Sequence, residues 1–167
     1  MNNKQNYKTE IDIETRYIVE QSEPEKERFV FSYTITIRNN SDIPTRLLRR
    51  HWIITDGNGN VQEVEGEGVV GEQPYLKPGE GFRYTSGTVL PTPLGSMHGS
   101  YKMIADDGSE FDAAIPAFTL SIPNTLHWQP RHFALIELNS KQNNILTTED
   151  TEDTEKIIYK TFSFIEL

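Results

Sequence analysis

Apolar and polar residues alternate over much of the first 120 positions, which is the period of a β-strand with one buried face. From Phe29 to Ile37 every second residue is aromatic or aliphatic. The pattern predicts two half-buried antiparallel strands, each with one buried face and one solvent face. Between them the string Ser-Glu-Pro-Glu at 22–25 predicts a turn. The apolar positions of the first predicted strand are Ile11, Ile13, Tyr17 and Val19.

Further strands follow at short intervals. A third strand is predicted over residues 47–55, and the string Asp-Gly-Asn-Gly at 56–59 predicts a hairpin that returns over residues 61–65. Later strands are predicted around Phe82 and Tyr84, over 97–105 and over 111–122. About seven short strands without helical periodicity predict an all-β protein, an immunoglobulin-like or fibronectin type III-like antiparallel β-sandwich with Trp52 and Tyr101 in its core.

The last forty or so residues have a different character. Residues 147–155 are acidic and polar without an apolar side chain, so burial cannot offset their ordering entropy and a flexible linker is predicted. Residues 133–138 and 156–167 regain a strand-like composition. We therefore predict a domain over residues 1–127 and a C-terminal extension over 128–167, composed of an acidic flexible linker and a short strand-like segment.

Composition narrows the classes of function. The 167 residues carry a formal net charge of −9, which disfavours binding to nucleic acid. The one tight basic group, Arg46, Arg49 and Arg50, is interpreted as a solvated strand edge. The absence of cysteine excludes disulfides, thiolate metal sites and cysteine nucleophiles. Because the chain has neither an apolar run of about 18 residues nor an export signal, we expect no membrane span and a cytoplasmic location.

The string Gly-Glu-Gly-Val-Val-Gly at 66–71 matches the G-x-G-x-x-G pattern of dinucleotide-binding proteins. Such a site needs a helix directly afterwards, and Pro74 and Pro78 leave room for one helical turn at most. Nearby carboxylates at positions 63, 65, 67 and 72 would repel a phosphate. We therefore interpret the glycines as positions that allow positive φ or a close approach of another backbone.

Candidate chemistry is sparse elsewhere. Glu63, Glu65 and Glu67 share one strand face and could bind a hard cation, although charges that protect a sheet edge are the interpretation we favour. His51 and His98 could be neighbours, but they lack the spacing of a metal-binding motif. No nucleophile elbow is present and no acid–base pair can be nominated. We assign no catalytic residue, no cofactor and no metal ligand.

Several separate strings resemble the ApaG domain family over about residues 7–127. They are Arg-His-Trp-Ile-Ile-Thr-Asp at 50–56, the string from Gly66 to Pro74, Pro-Gly-Glu at 78–80, Tyr-Thr-Ser-Gly at 84–87, Gly-Ser-Met-His-Gly-Ser-Tyr at 95–101 and Ile-Pro-Ala-Phe at 115–118. The resemblance implies a fibronectin type III-like fold and the family label Co²⁺/Mg²⁺ efflux protein, which reflects a link to cation resistance. It also implies a role in protein interaction, because the domain occurs in eukaryotic F-box proteins and in a polymerase-delta-interacting protein.

We expect a non-catalytic cytosolic binding module that contacts an unidentified protein, associated with Co²⁺/Mg²⁺ resistance or efflux, as a monomer or weak homodimer. Val69 and Val70 are expected to be exposed at a loop tip, where apolar residues serve a partner. The alternative is a small-ligand binder for a divalent cation or a pyrophosphate-type anion at the glycine loop. The predicted partner-binding residues are Arg50, His51, Gly66, Glu67, Gly68, Val69, Val70, Gly71, Gln73 and Pro74.

Overall fold

The computed structural model describes residues 7–123 and the backbone of one strand at residues 157–165. Two short 3₁₀ helices, Val19–Gln21 and Pro24–Lys26, lie between the first two strands. The strands are β1 Thr9–Tyr17, β2 Phe29–Asn39, β3 Thr45–Asp56, β4 Val61–Glu67, β5 Tyr75–Leu76, β6 Gly81–Leu90, β7 Leu94–Ala105, β8 Glu110–Ser121 and β9 Ile157–Ile165. No helix in the part of the chain described has the length and apolar character needed to cross a membrane.

The strands form two sheets packed face to face. The first sheet has the order β1-β2-β6-β9, and the second has the order β4-β3-β7-β8 with β5 paired to one end of β3. Every pairing among β1 to β8 is antiparallel, whereas β9 lies parallel to β6. The structure confirms the predicted immunoglobulin-like or fibronectin type III-like β-sandwich. It adds a parallel edge strand that the antiparallel prediction did not include.

Trp52 lies at the centre of the core, as predicted. Its side chain has no exposed surface, and it packs edge-on against the rings of Tyr33, Tyr101 and Phe118 at centroid distances of 5.5, 6.4 and 5.9 Å. These partners come from both sheets, so the indole joins the two layers. Edge-to-face aromatic pairs of this kind each add about 0.5–1.5 kcal/mol to the stabilisation from burial.

Tyrosine hydroxyls inside the core meet across the two sheets. Tyr84 comes from β6 in the first sheet and Tyr101 from β7 in the second, and their hydroxyl oxygens are 2.5 Å apart in a buried hydrogen bond. Burial raises the pKa of both phenols well above the ordinary value of 10.0. Burial also raises the pKa of Tyr33 to about 12, although its hydrogen bond with Ser86 acts in the opposite direction. The three buried phenols are therefore hydrogen-bonded and uncharged.

Two details of the predicted strands are wrong. The pattern includes Val19 in the first strand, but β1 ends at Tyr17 and Val19 is 64% exposed in a 3₁₀ helix. The pattern also predicts a wet second face for β2, yet Val30 is fully buried. Residues 18–22 fold beside it, because Ile18 N donates to Val30 O and Val30 N donates to the Ser22 hydroxyl.

The extension is described only in part. The strand-like segment predicted at 156–167 forms β9 over Ile157–Ile165. The domain boundary at residue 127, the segment 133–138 and the acidic stretch 147–155 lie outside the described residues. The division of the chain at residue 127 therefore stays a prediction.

Candidate functional site

Residues 66–74, called the glycine loop from here on, contain a tight turn held by backbone hydrogen bonds. Val69 N donates to Glu72 O at 2.8 Å and Glu72 N donates back to Val69 O at 2.9 Å. Val70 and Gly71 between them have φ values of 44° and 76°. Two successive positive φ values in a two-residue loop define a type I′ turn, the turn that suits a tight hairpin. The glycine loop is thus a second small hairpin beyond the end of β4.

At each of the three glycines of the pattern, a different local feature disfavours a side chain. A Cβ on Gly66 would lie 2.9 Å from the guanidinium of Arg50, which packs flat against this position. A Cβ on Gly68 would overlap the carbonyl of Glu72, and φ at Gly68 is +58°. Gly71 has open space around it but supplies the second positive φ of the turn. The predicted close approach of another backbone is confirmed at Gly68 and the predicted positive φ at Gly68 and Gly71, whereas the neighbour of Gly66 is a side chain.

Arg50 holds the loop onto β3 from beneath. The pairing of β3 with β7 shifts register between Leu47 and Arg49, so the alternation of faces resets at a β-bulge and Arg50 turns towards the interior. Its Nη1 donates to Glu67 O at 3.0 Å and to Gly68 O at 2.9 Å. Hydrogen bonds from a charged donor contribute about 1.5–3 kcal/mol, so this side chain is a principal support of the loop.

A small cavity lies under the loop beside the Arg50 guanidinium. Its volume is about 20 Å³, which is room for about one water molecule and not for a phosphate group. The cavity is lined by Tyr33, Arg50, Trp52, Val69, Val70, Tyr84 and Ser86.

The backbone donors of the glycine loop are largely used within the fold. Gly68 N donates to Leu48 O at 2.8 Å, and the amides of Val69 and Glu72 serve the turn. A phosphate cradle needs several free N–H groups that converge on one point. The chain after the loop forms the short strand β5 at Tyr75–Leu76, where a dinucleotide site requires a helix. The geometry weighs against a pyrophosphate-type anion at this loop.

The outer face of the second sheet carries paired charges beside the loop. His51 Nε2 lies 2.5 Å from Glu63 Oε1 and 4.0 Å from Glu65 Oε1, and Arg49 Nη2 lies 4.0 Å from Glu65 Oε2. His98 pairs with Ile53 in the register, two positions away from His51. Within residues 7–123, no three His, Asp or Glu side chains are grouped so as to hold a metal ion. The carboxylates of β4 thus face basic side chains, which favours the edge-protection interpretation over a cation site.

The structure sorts the predicted partner-binding residues by exposure. Three are exposed, four are partly exposed and three are buried. The exposed ones are Glu67, Gly71 and Gln73; the partly exposed ones are Arg50, His51, Gly66 and Val70; the buried ones are Gly68, Val69 and Pro74.

The expectation that Val69 and Val70 form an exposed apolar tip is wrong. Val69 is fully buried and belongs to the core, at the start of the hairpin that its paired hydrogen bonds with Glu72 close. Val70 is half-buried and packs against the same core. The surface of the loop is polar.

Two contacts that support the loop were missed by sequence reasoning. Arg46 and Tyr75 are register partners, and the Arg46 guanidinium carbon lies 5.1 Å from the centre of the Tyr75 ring. Gln73 Nε2 donates to Leu48 O at 2.9 Å. Each contact joins β3 to a residue more than twenty positions later in the chain, in the loop or directly after it. A local sequence pattern therefore could not predict either contact.

Val70 is the one residue of the loop whose conformation is intrinsically unfavourable, because left-handed backbone costs an L-residue about 1–2 kcal/mol and a β-branched one more. We expect Val70→Gly to have a larger free energy of unfolding than Val70→Ala, by about 1 kcal/mol. Urea denaturation of both variants tests this. Val61, an exposed strand residue, is the matched control: there the alanine variant should be the more stable one. The same order of alanine and glycine at both positions would contradict strain at Val70.

Comparisons with known proteins agree with this fold. The family model for the ApaG domain matches residues 19–105. The chain is 57% identical over 127 residues to Protein ApaG of Azoarcus sp., covering 76% of this chain and all of that protein. It is 55% identical over 121 residues to Protein ApaG of Pseudomonas syringae pv. tomato, covering 72% of this chain and 96% of that protein.

A solved structure is similar in the same region. The crystal structure of a Bordetella pertussis protein named as an ApaA protein is 47% identical, with a TM-score of 0.70, covering 71% of this chain and 97% of that one. The whole Azoarcus protein aligns with 127 residues of this chain. An alignment of that length that contains the ApaG domain at residues 19–105 ends before Ile157, so the Azoarcus protein has no counterpart of β9. By its sequence and its fold, the chain belongs to the ApaG family.

Proposed function

We propose that this chain is a non-catalytic binding module of the cytoplasm, which contacts a partner protein through the exposed part of the glycine loop and the adjoining Arg49 and His51. The observation that carries the proposal is a loop that the fold holds in one conformation. It keeps a β-branched residue at positive φ and is tied to β3 by Arg50 and Gln73. Strain of this kind persists where the surrounding structure enforces it, typically at functional sites.

A rigid loop has a thermodynamic advantage in binding. A flexible loop loses conformational freedom when a partner orders it, whereas this one is already ordered in the free protein. Its exposed side chains are Glu67, Glu72 and Gln73, and Glu67 is the register partner of Arg49, which is 60% exposed. Such a surface offers both signs of charge and several hydrogen-bonding groups, which suits the polar surface of a protein better than an apolar ligand.

Exchanging two opposite charges tests this surface and keeps the register pair opposite in sign, while the Glu65 carboxylate, 4.0 Å from Arg49, would then face a like charge. Arg49 and Glu67 are register partners on β3 and β4, so the double variant Arg49→Glu, Glu67→Lys keeps a cross-strand pair of opposite sign and inverts the local field. We expect this variant to lose proteins captured from the native cytosol by the unaltered chain, with a change in the free energy of unfolding below about 1 kcal/mol.

The matched control is an exchange on a distant part of the fold. Glu23 and Lys26 form an exposed ion pair in the connection between β1 and β2. Glu23→Lys, Lys26→Glu should capture the same proteins as the unaltered chain. Equal capture by the two exchange variants would place the partner elsewhere and refute the proposed surface.

The association with Co²⁺ and Mg²⁺ is proposed as a consequence of this contact, with the partner handling the cation. Cells that depend on this chain should tolerate less Co²⁺ when they carry the Arg49→Glu, Glu67→Lys variant than when they carry the control exchange. Calorimetry of the purified chain with Co²⁺ and Mg²⁺ should show no binding. Heat of binding to the unaltered chain that is absent from a Glu63→Gln, Glu65→Gln variant would favour direct cation binding instead.

A further inference from the structure

β6 differs from the other strands that end a sheet within residues 7–123. β1, β4 and β8 each carry features that discourage pairing with another chain, namely several charges or a proline. β1 has Glu10, Asp12, Glu14 and Arg16; β4 has Glu63, Glu65 and Glu67; β8 has Glu110, Asp112 and Pro116. The ten residues of β6 contain a single charge, Arg83, and no proline.

The one charge of β6 also points away from the edge. Arg83 Nη2 donates to Glu14 on β1 at 2.8 Å, and its Nη1 donates to Thr36 on β2 at 3.2 Å. Both contacts run across the first sheet towards β1. The side of β6 that faces away from β2 is therefore left without a charged side chain to block an incoming strand.

β9 occupies this side of β6. It runs parallel to β6, from Ile157 opposite Gly81 to Ile165 opposite Thr88, with a register shift between Thr85 and Gly87. The strand comes from a part of the chain that the Azoarcus relative does not possess, since the whole of that protein aligns before β9. The sandwich of β1 to β8 thus occurs in the Azoarcus relative without a strand that corresponds to β9, and β9 is an addition to that sandwich.

We infer that the outer edge of β6 is a docking site for an extended peptide segment of a partner protein, aligned parallel to β6, and that residues 157–165 are its intramolecular occupant. Strand addition supplies backbone hydrogen bonds along the whole edge and needs little from the partner's sequence beyond sparse charge and β-propensity. This site lies in the first sheet, apart from the glycine loop of the second, and does not depend on the function proposed for that loop.

A groove lies at the end of β6 towards which the docked strand runs. Because β9 is parallel to β6, a peptide that extended beyond Ile165 would pass Val89 and Leu90. Both residues line a groove of about 570 Å³ between the end of β6 and the β3–β4 hairpin. That volume is in the range of ligand pockets, and it can accept one or two side chains of a longer partner segment. The groove is also lined by the apolar residue Val61 and by the charged residues Arg28 and Asp56.

The first experiment asks whether β9 occupies its own edge in solution. The chain has no cysteine, and Thr85 and Thr161 are register partners, so Thr85→Cys, Thr161→Cys is expected to form an intrachain disulfide on mild oxidation. Thr85→Cys, Asn58→Cys is the control, because Asn58 lies in the turn between β3 and β4 of the other sheet, and it should cross-link at least tenfold more slowly. A disulfide-linked dimer would assign the edge to a second copy, and equal rates for the two variants would remove β9 from it; both results overturn the inference.

The second experiment asks whether the edge accepts a peptide when β9 is disabled. Adjacent residues of a strand direct their N–H groups to opposite edges of that strand. In the full chain, Lys160→Pro, Thr161→Pro therefore removes one N–H group on each edge of β9, and one of the two is on the edge that faces β6. The matched control is Lys160→Ala, Thr161→Ala, which keeps both backbone donors. The probe is a fluorescein-labelled peptide that copies residues 155–167, followed by anisotropy, with a scrambled peptide of the same composition beside it.

We expect the Lys160→Pro, Thr161→Pro variant to bind the probe at least tenfold more tightly than the control variant does. Amide hydrogen exchange should also accelerate in β6 at positions that the probe then protects again. Absence of binding with accelerated exchange would show an edge that opens but does not dock a peptide. If the scrambled peptide bound as tightly as the probe, the binding would be non-specific. Either outcome overturns the inference.

Discussion

Replacing Gly99 with alanine is expected to lower the free energy of unfolding by at least about 3 kcal/mol, enough to leave much of a marginally stable domain unfolded. A Cβ at this position would overlap the carbonyl oxygen of His51 and would lie 3.0 Å from its carbonyl carbon and 3.2 Å from the Cα of Trp52. These are backbone atoms of the adjacent strand β3. They cannot withdraw, because the Trp52 side chain is fully buried between the two sheets.

Urea denaturation followed by Trp fluorescence measures the effect. Gly108→Ala is the matched control, since Gly108 has a φ of +84° but no atom within 4 Å of the position that a Cβ would take. Only the backbone conformation is penalised there, by about 1–2 kcal/mol. The difference between the free energies of unfolding of the two variants measures the cost of the steric overlap at position 99. A Gly99→Ala protein as stable as Gly108→Ala would mean that β3 and β7 do not approach as closely as the register requires.

Alkaline pH is expected to unfold the protein through its buried tyrosines. The pKa of Tyr33 is raised to about 12, and burial raises the pKa values of Tyr84 and Tyr101 as well. A raised folded-state pKa means that the folded protein holds the proton more tightly than the unfolded chain does. The stability from these groups is therefore fully present below about pH 10, the unfolded value, and is lost as the pH rises towards and through the folded values.

The loss of stability at alkaline pH has a definite slope. Each phenol that is ionised in the unfolded chain but protonated in the fold lowers the free energy of unfolding by about 1.4 kcal/mol per pH unit, so three give up to about 4 kcal/mol per unit. Urea midpoints measured from pH 8 to pH 12 should be flat at first and then fall steeply above about pH 10. Tyr84→Phe should reduce the slope by about one third. A phenolate absorbance that develops fully while the protein stays folded would contradict the buried arrangement.

The alternation of apolar residues was enough to predict the sandwich, because a period of two in short segments admits few other folds. It placed Trp52 correctly and anticipated the hairpin at Asp56–Asn60, where Asp56 N donates to Asn60 O and Gly59 takes a φ of 84°. These features depend on residues that lie close together in the chain. Local sequence carries that kind of information well.

The prediction of the candidate site was less accurate, because its features depend on pairing between distant segments. Val69 looked exposed because glycines surround it, yet the hairpin that starts at this residue leaves its side chain in the core. Arg50 looked like part of a surface cluster with Arg46 and Arg49, whereas the bulge in β3 directs it inward under the loop. A bulge shifts every later residue to the other face, and nothing in the string of arginines specifies one.

The order of the strands along the chain has a consequence for synthesis. The sandwich is complete once β8 has been made at Ser121, whereas the last residue of β9, Ile165, follows 44 positions later. At translation rates of roughly 5–20 residues per second, each new molecule spends about 2–9 s with a foldable sandwich and an uncovered β6. The partner segment has its best opportunity then, before the chain's own last strand emerges to compete with it.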